Sequence, residues 1–211
     1  MFAELTSRKE NGVELDVLVW RLAEPMLCAS TASFGGGLGP RNWVFNAQVP
    51  SDYQRVDIDQ HVTELATVLH LTGSGVGMLT AARVRRYQQS RDENVDVEVT
   101  VGISHPTWAA SDDKSEGSPV TAGTINIVAF VPVRLEEAAL INAVATATEA
   151  KSQALFDANI DATGTPSDAV TIFCPLEGEI ERFGGPRSLW GSRLARAAHR
   201  AVLAGAKGWT A

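Results

Sequence analysis

Little in this chain points to a covalently stapled scaffold or to a membrane. Its 211 residues include only two cysteines, Cys28 and Cys174, set in the apolar runs MLCA and TIFCP with no CxxC partner. That count excludes a disulfide framework, and the surroundings predict buried free thiols. No stretch approaches the roughly 18 consecutive apolar residues of a spanning helix. The opening MFAELTSRKENG has no apolar core of the kind a secretory leader needs, so the expected location is the cytoplasm. Basic charge is scarce: 18 Lys and Arg against 25 Asp and Glu give a net charge of −7 with histidine neutral. This argues against nucleic acid and against anionic membrane as partners. The one basic cluster, Arg83, Arg85 and Arg86, reads as the solvated edge of a strand.

Familiar catalytic motifs are also missing. There is no GxSxG elbow, no Walker loop and no dinucleotide fingerprint opening a helix. The glycine run at 35–37 follows a strand, but no helix pattern follows it, so a phosphate cradle is not expected there. The four histidines, His61, His70, His105 and His199, form no i, i+4 pair and no HxH, which leaves a metal site unsupported.

What remains is the patterning of an ordinary globular protein, with 45% hydrophobic and 20% charged residues. Strands are expected at 13–20, at 26–33 after an interruption by Pro25, and at 43–49. The glycine loop 34–42 separates the last two. Apolar residues at intervals of three and four predict a helix over 57–71, capped by Asp57 and ended near Gly73. Residues 75–86 and 95–104 read as paired strands joined by the polar turn QQSRDEN. In VDVEVTV the valines alternate with Asp96, Glu98 and Thr100, the pattern of a half-buried strand. The polar stretch 104–119 reads as a mobile loop. A strongly apolar strand at 123–133, a long helix at 135–157, a strand at 168–175 and a helix over about 189–203 complete the order. The fold class expected is mixed α/β (α+β): one layered domain over 1–211, with a mixed sheet and three main helices.

The 135–157 helix carries an anomaly. At about 100° per residue, Leu140, Ala143, Ala147, Ala150, Ala154 and Leu155 share a broad apolar arc, and Lys151 falls near its centre with Thr148 beside it. Such a lysine either snorkels from the helix end or is buried beside a carboxylate. Glu149 sits about 160° from Lys151 on an ideal helix, facing either solvent or a cleft.

Several blocks together resemble the adenosylcobinamide amidohydrolases, bacterial and archaeal enzymes of corrinoid salvage. GTINIVAFV at 123–131, ATATEAKSQAL at 145–155 and TGTPSDAV at 163–170 carry the resemblance. STASFGGGLGPRNWVFNAQV at 30–49, VGMLTAA at 76–82 and VTVGISHP at 99–106 support it. Order and spacing agree from about residue 26 to 205. Two departures stand out: Pro166 and Ser167 replace the Gly and Thr usual in that turn, and Arg187 and Ser188 stand where the family often has a histidine and a threonine.

The resemblance implies hydrolysis of the amide joining a corrin propionyl side chain to aminopropanol, giving adenosylcobyric acid for the cobalamin pathway. The corrinoid is the substrate, and no cofactor of the enzyme's own is implied, since the cobalt belongs to the substrate. The alternative, motivated by Arg187, is a non-catalytic or altered-specificity protein that binds a corrinoid or another small amide. For catalysis, Glu149 and Asp168 are candidate carboxylates and Lys151 a candidate donor, all in matching blocks. Within that set Asp168 is the expected partner of Lys151, anchoring the turn and leaving Glu149 to face substrate as the base. Asn46 and Asn126, amides inside apolar strands, either satisfy a turn or bind the propionamide fringe of a corrin. Thr124, Thr148 and Thr165 are candidate donors or nucleophiles, and Gly36 allows a planar ligand close to the backbone. A cleft is expected where the C-terminal end of strand 123–131, the TGTPSD turn and loop 34–42 meet.

Overall fold

Asn11 and Gly12 take positive φ angles of 50° and 82°, the geometry of a two-residue hairpin turn. They join β1 (Glu4–Glu10) to β2 (Val13–Ser30), with Glu10 opposite Val13. The computed structural model describes residues 2–111 and 123–209. Pro25 does not end the strand, as its missing N–H suggests. β2 runs 18 residues, and its register with β3 (Gly37–Gln48) jumps from Arg21↔Trp43 to Met26↔Arg41. The proline sits in the bulge, where no ladder bond is required of it. β3 also begins earlier than expected, because Gly37–Arg41 of the glycine segment pairs with Met26–Ser30.

α1 (Ile58–Val68) follows Asp57, whose carboxylate binds Arg55 instead of capping the helix. β4 (Gly75–Thr80) pairs in parallel with β3 and not with the 95–101 strand. Arg83, Arg85 and Arg86 lie on and beside a 3-10 turn at Val84–Arg86, with Arg85 bound to Asp16, so they are not a strand edge. The polar QQSRD segment is itself a strand, β5 (Gln88–Asp92), forming a hairpin with β6 (Val95–Val101). Then come β7 (Ile125–Phe130), β8 (Arg134–Leu135), α2 (Glu137–Asp157), β9 (Ala169–Cys174), β10 (Ile180–Glu181) and α3 (Leu189–Lys207). Much of the expected 104–119 loop lies outside the described residues.

The main sheet is mixed, in the order β4-β3-β2-β9-β7-β6-β5, with β1 paired to Val13–Val19 of β2, ahead of the stretch that β9 pairs; a small sheet pairs β8 with β10. With three helices against it, the fold is mixed α/β. α2 and α3 present alanines to Val95, Val97 and Val99 of β6 and to Ile125, Ile127, Val170 and Ile172 of β7 and β9. α1 packs Val62 and Leu65 on Val17, Val19, Trp43 and Phe45.

The opposite face of the sheet is no water-facing surface. Asn46 of β3 meets Asn126 of β7 at 2.9 Å and Thr100 of β6 at 2.8 Å. In a flat sheet β3 and β7 would stand about 14 Å apart, three strand spacings. The sheet therefore folds over on itself. Between its halves lie Leu18, Trp20, Val44, Met78, Val128 and Phe173. β6 is consequently buried on both faces: Asp96 and Glu98 are only 3% and 2% exposed. Glu98 is satisfied there by Trp20 Nε1 (2.7 Å), the Ala3 amide (2.9 Å) and Gln89 Nε2 (2.7 Å).

Candidate functional site

The 163–168 turn is tied down from several directions. Thr107 and the turn exchange backbone bonds, Thr107 N to Gly164 O (2.9 Å) and Thr163 N to Thr107 O (3.0 Å). Asp168, closing the turn, accepts from Thr165 N (3.0 Å), Ile125 N (2.9 Å), the Thr165 hydroxyl and Lys151 Nζ. The expected Lys151–Asp168 ion pair is thus present, with both side chains under a tenth exposed. Gly164 makes room for it: a Cβ there would lie 2.3 Å from Asp168 Oδ2 and 2.5 Å from Lys151 Nζ.

Beside this turn opens a cleft of about 400 Å³, lined by Thr31–Ser33, Val49, Tyr53, Ile58, Gly77–Thr80, Thr124, Asn126 and Pro166–Ala169. It lies at the N-terminal ends of β7 and β9 and beyond the C-terminal end of β2. The expected position at the C-terminal end of strand 123–131 is therefore corrected. Parallel β7 and β9 both start at the turn, so the turn meets their beginnings. Gly36 is not in the lining either. A Cβ at Gly36 would meet Ala32 O at 2.1 Å, so this glycine lets its loop fold back against residues that do line the cleft.

Of the residues expected at a site, Asn46, Thr124, Asn126, Thr165, Lys151 and Asp168 converge here. Thr124 Oγ1 lies 2.7 Å from Ser167 Oγ, and Thr165 Oγ1 lies 2.8 Å from Gly123 O. Asn126 Nδ2 donates to Asn46 Oδ1 and to Leu79 O (3.2 Å), while its own Oδ1 is buried with no partner among the described residues. Glu149 and Thr148 do not converge. Both are exposed on α2, and the Thr148 hydroxyl bonds back to Val144 O at 2.9 Å. Glu149 does point away from buried Lys151, but the face it occupies is not a wall of this cleft.

Residue typing missed Ser167, noted only as a departure in the turn, and Tyr53, in an aperiodic segment after Pro50. The Tyr53 hydroxyl is 2.6 Å from His61 Nδ1, and the two rings stack at 5.4 Å. His61, 2% exposed, reaches Glu10 Oε1 through Nε2 at 3.2 Å. Arg8 Nη2 meets Glu10 Oε2 and Gln48 O, each at 2.8 Å. Burial raises the Tyr53 hydroxyl above its ordinary pKa, against an opposing pull from Arg55. No local signal joins Glu10 to His61 across 51 positions. Among the described residues, no group of three or more His, Cys, Asp or Glu side chains could hold a metal ion.

Residues 2–211 match the family described as adenosylcobinamide amidohydrolase. Two curated relatives bear that same name. The protein from Methanosarcina mazei is 28% identical over 186 residues, covering 84% of this chain and 88% of the relative. That from Halobacterium salinarum is 28% identical over 197 residues, covering 88% and 83%. Among the described residues no helix is long and apolar enough to cross a membrane.

Proposed function

The chain belongs to the adenosylcobinamide amidohydrolase family, and we propose that the cleft at the heads of β7 and β9 is where it hydrolyses its amide. The reaction adds water across the bond between the corrin propionyl carbon and the aminopropanol nitrogen, giving adenosylcobyric acid and 1-aminopropan-2-ol. The observation that carries the placement is the meeting of three family-matching blocks, STAS, GTIN and TGTPSD, on one concave surface whose lining includes Asn126, with its Oδ1 unspent among the described residues.

At about 400 Å³ the cleft is at the small end for ligand sites. It fits the amide-bearing side chain, with the macrocycle resting at the mouth. Thr124 and Ser167 share one hydrogen bond, which uses one of their two hydroxyl protons. When Ser167 donates to Thr124 rather than to Gly123 O at 3.3 Å, the Thr124 hydroxyl proton is the one left for the oxyanion formed when water attacks the carbonyl. Asn126 Oδ1, buried and without a partner among the described residues, is an acceptor for the substrate's amide N–H.

Lys151 and Asp168, expected as catalytic, act in this proposal by position. The Asp168 oxygens already accept four donors, and the pair holds Ser167 and Thr165 in place. Glu149 has no role here, since it lies outside the cleft lining.

The Arg187 departure does not favour a merely binding protein. Gly184 and Gly185 pack against Ala139 and Asn142 near the start of α2, while Lys151 meets the cleft turn nine residues on. At about 1.5 Å per residue the two places are roughly 13 Å apart along the helix. Adenosylcobinamide incubated with the protein should release 1-aminopropan-2-ol, measured by mass spectrometry. Thr124→Val with Ser167→Ala should cut kcat about 100-fold or more with the fold retained. Corrinoid bound but returned intact by the unaltered protein would establish the binding reading instead.

A further inference from the structure

We propose that Tyr53 is the acid that protonates the departing amine, and that His61 and Glu10 position and recharge it. The inference rests on the cleft being the site of amide hydrolysis. Tyr53 is a cleft wall residue, and behind it runs a continuous chain: Tyr53 hydroxyl, His61 Nδ1 at 2.6 Å, His61 Nε2, Glu10 Oε1 at 3.2 Å. The far side of His61 lines a separate hollow of about 310 Å³ together with Arg8, Glu10, Arg55 and Glu64. His61 therefore stands between the cleft, reached through Tyr53, and an outer hollow.

An amine leaves poorly as an anion, so the C–N bond breaks only as nitrogen acquires a proton. In the proposed step the Tyr53 O–H gives its proton to that nitrogen as the bonding pair moves onto it. The phenolate oxygen then takes a proton from His61 Nδ1. Solvent in the outer hollow replaces that proton on the ring through Nε2, the nitrogen that faces Glu10. The attacking water leaves its hydroxyl on the carbonyl carbon and releases its other proton to solvent, which offsets the proton that solvent returns to His61, so one water is consumed for each bond cleaved.

A histidine kept for packing alone needs one acceptor and one donor. This one belongs to a chain ending at Arg8, which is 6% exposed and has Nε and Nη1 buried without a partner among the described residues. Unpaired guanidinium donors are costly, and the arrangement places a fixed positive charge behind Glu10. The charged groups facing the chain and its hollow are Arg8, Lys9 and Glu10 from β1, Arg55 and Asp57 before α1, and Glu64 on α1.

The test measures amine release against pH for the unaltered enzyme, Tyr53→Phe, His61→Gln and Glu10→Gln, with corrinoid binding followed by absorbance. Tyr53→Phe should lower kcat about 10²–10⁴-fold with binding kept. The deficit should shrink on an anilide analogue, whose leaving amine needs less protonation. His61→Gln and Glu10→Gln should lower kcat less and change the pH profile. Should Tyr53→Phe fail to fold, a fluorotyrosine at 53 keeps the shape and should move the alkaline limb to lower pH. A folded Tyr53→Phe with near-normal kcat and an unchanged profile, or a fluorotyrosine enzyme with an unmoved limb, overturns the proposal. Absence of amine release from the unaltered protein overturns the cleft reading and this one with it.

Discussion

Lys151 on α2 and Asp168 at the head of β9 form an ion pair whose side chains are 8% and 9% exposed. The lysine sits in the apolar arc of its helix, so its charge has no route to water that leaves the packing intact. The carboxylate in turn collects the amides of Ile125 and Thr165, which makes one pair the junction of α2, β7 and the turn.

Lys151→Met removes the cation and leaves the carboxylate buried. Breaking one partner of such a pair costs about 3–5 kcal/mol. In a chain of this size that is a fall in Tm on the order of 10 °C. Thermal unfolding followed by circular dichroism measures it, and a Tm within 2 °C of the unaltered protein would show that the pair does not anchor the turn.

Glu149 leads to the opposite expectation. It is exposed two residues before Lys151 and outside the cleft lining. Glu149→Gln should retain amine release within about twofold and shift stability by less than about 0.5 kcal/mol. A dead but folded variant would return Glu149 to the role of base.

The two residues also show what the sequence discloses and what it hides. A lysine at the centre of an alanine-rich arc demands a carboxylate, and Asp168 is the one acid in the matching blocks besides Glu149, which points away, so that pair could be found without coordinates. Alternation in VDVEVTV is a different matter. The pattern is the same whether the polar face meets water or the other half of a folded-over sheet, and only the long-range meeting of Asn46 with Asn126 decides it. QQSRD has the composition of a turn, yet pairing with β6 makes it a strand. Tyr53, His61 and Glu10 come together only because His61 on α1 reaches Glu10 at the end of β1, a contact that no spacing encodes.

The cysteines should be chemically silent. Burial pushes the Cys28 thiol up to about 12, with Arg41 opposing, and burial raises Cys174 as well. The thiolate is the reactive form. A disulfide exchange reagent should find no thiol in the native protein at pH 8 and two after denaturation. Rapid modification of either without unfolding would contradict the packing described.

Glu98 gives a pH dependence whose sign follows from its burial. Desolvation raises its pKa above the ordinary 4.5, against the lowering effect of bonds from Gln89, Ala3 and Trp20. The folded state therefore holds this proton to higher pH than the unfolded chain does. Between 4.5 and the raised value the native protein binds more protons, so this group's contribution to stability falls as pH rises. It is fully present below 4.5 and gone above the folded pKa. Glu98→Gln keeps the shape, removes the charge, and lets Oε1 of the new amide accept from Trp20 and Ala3 while Gln89 turns its own amide. The variant should lose that portion of the pH dependence and be at least as stable as the parent at neutral pH. Urea unfolding of both proteins between pH 4 and 8 makes the comparison. Parallel stability curves across that range would show that the Glu98 proton is not linked to folding.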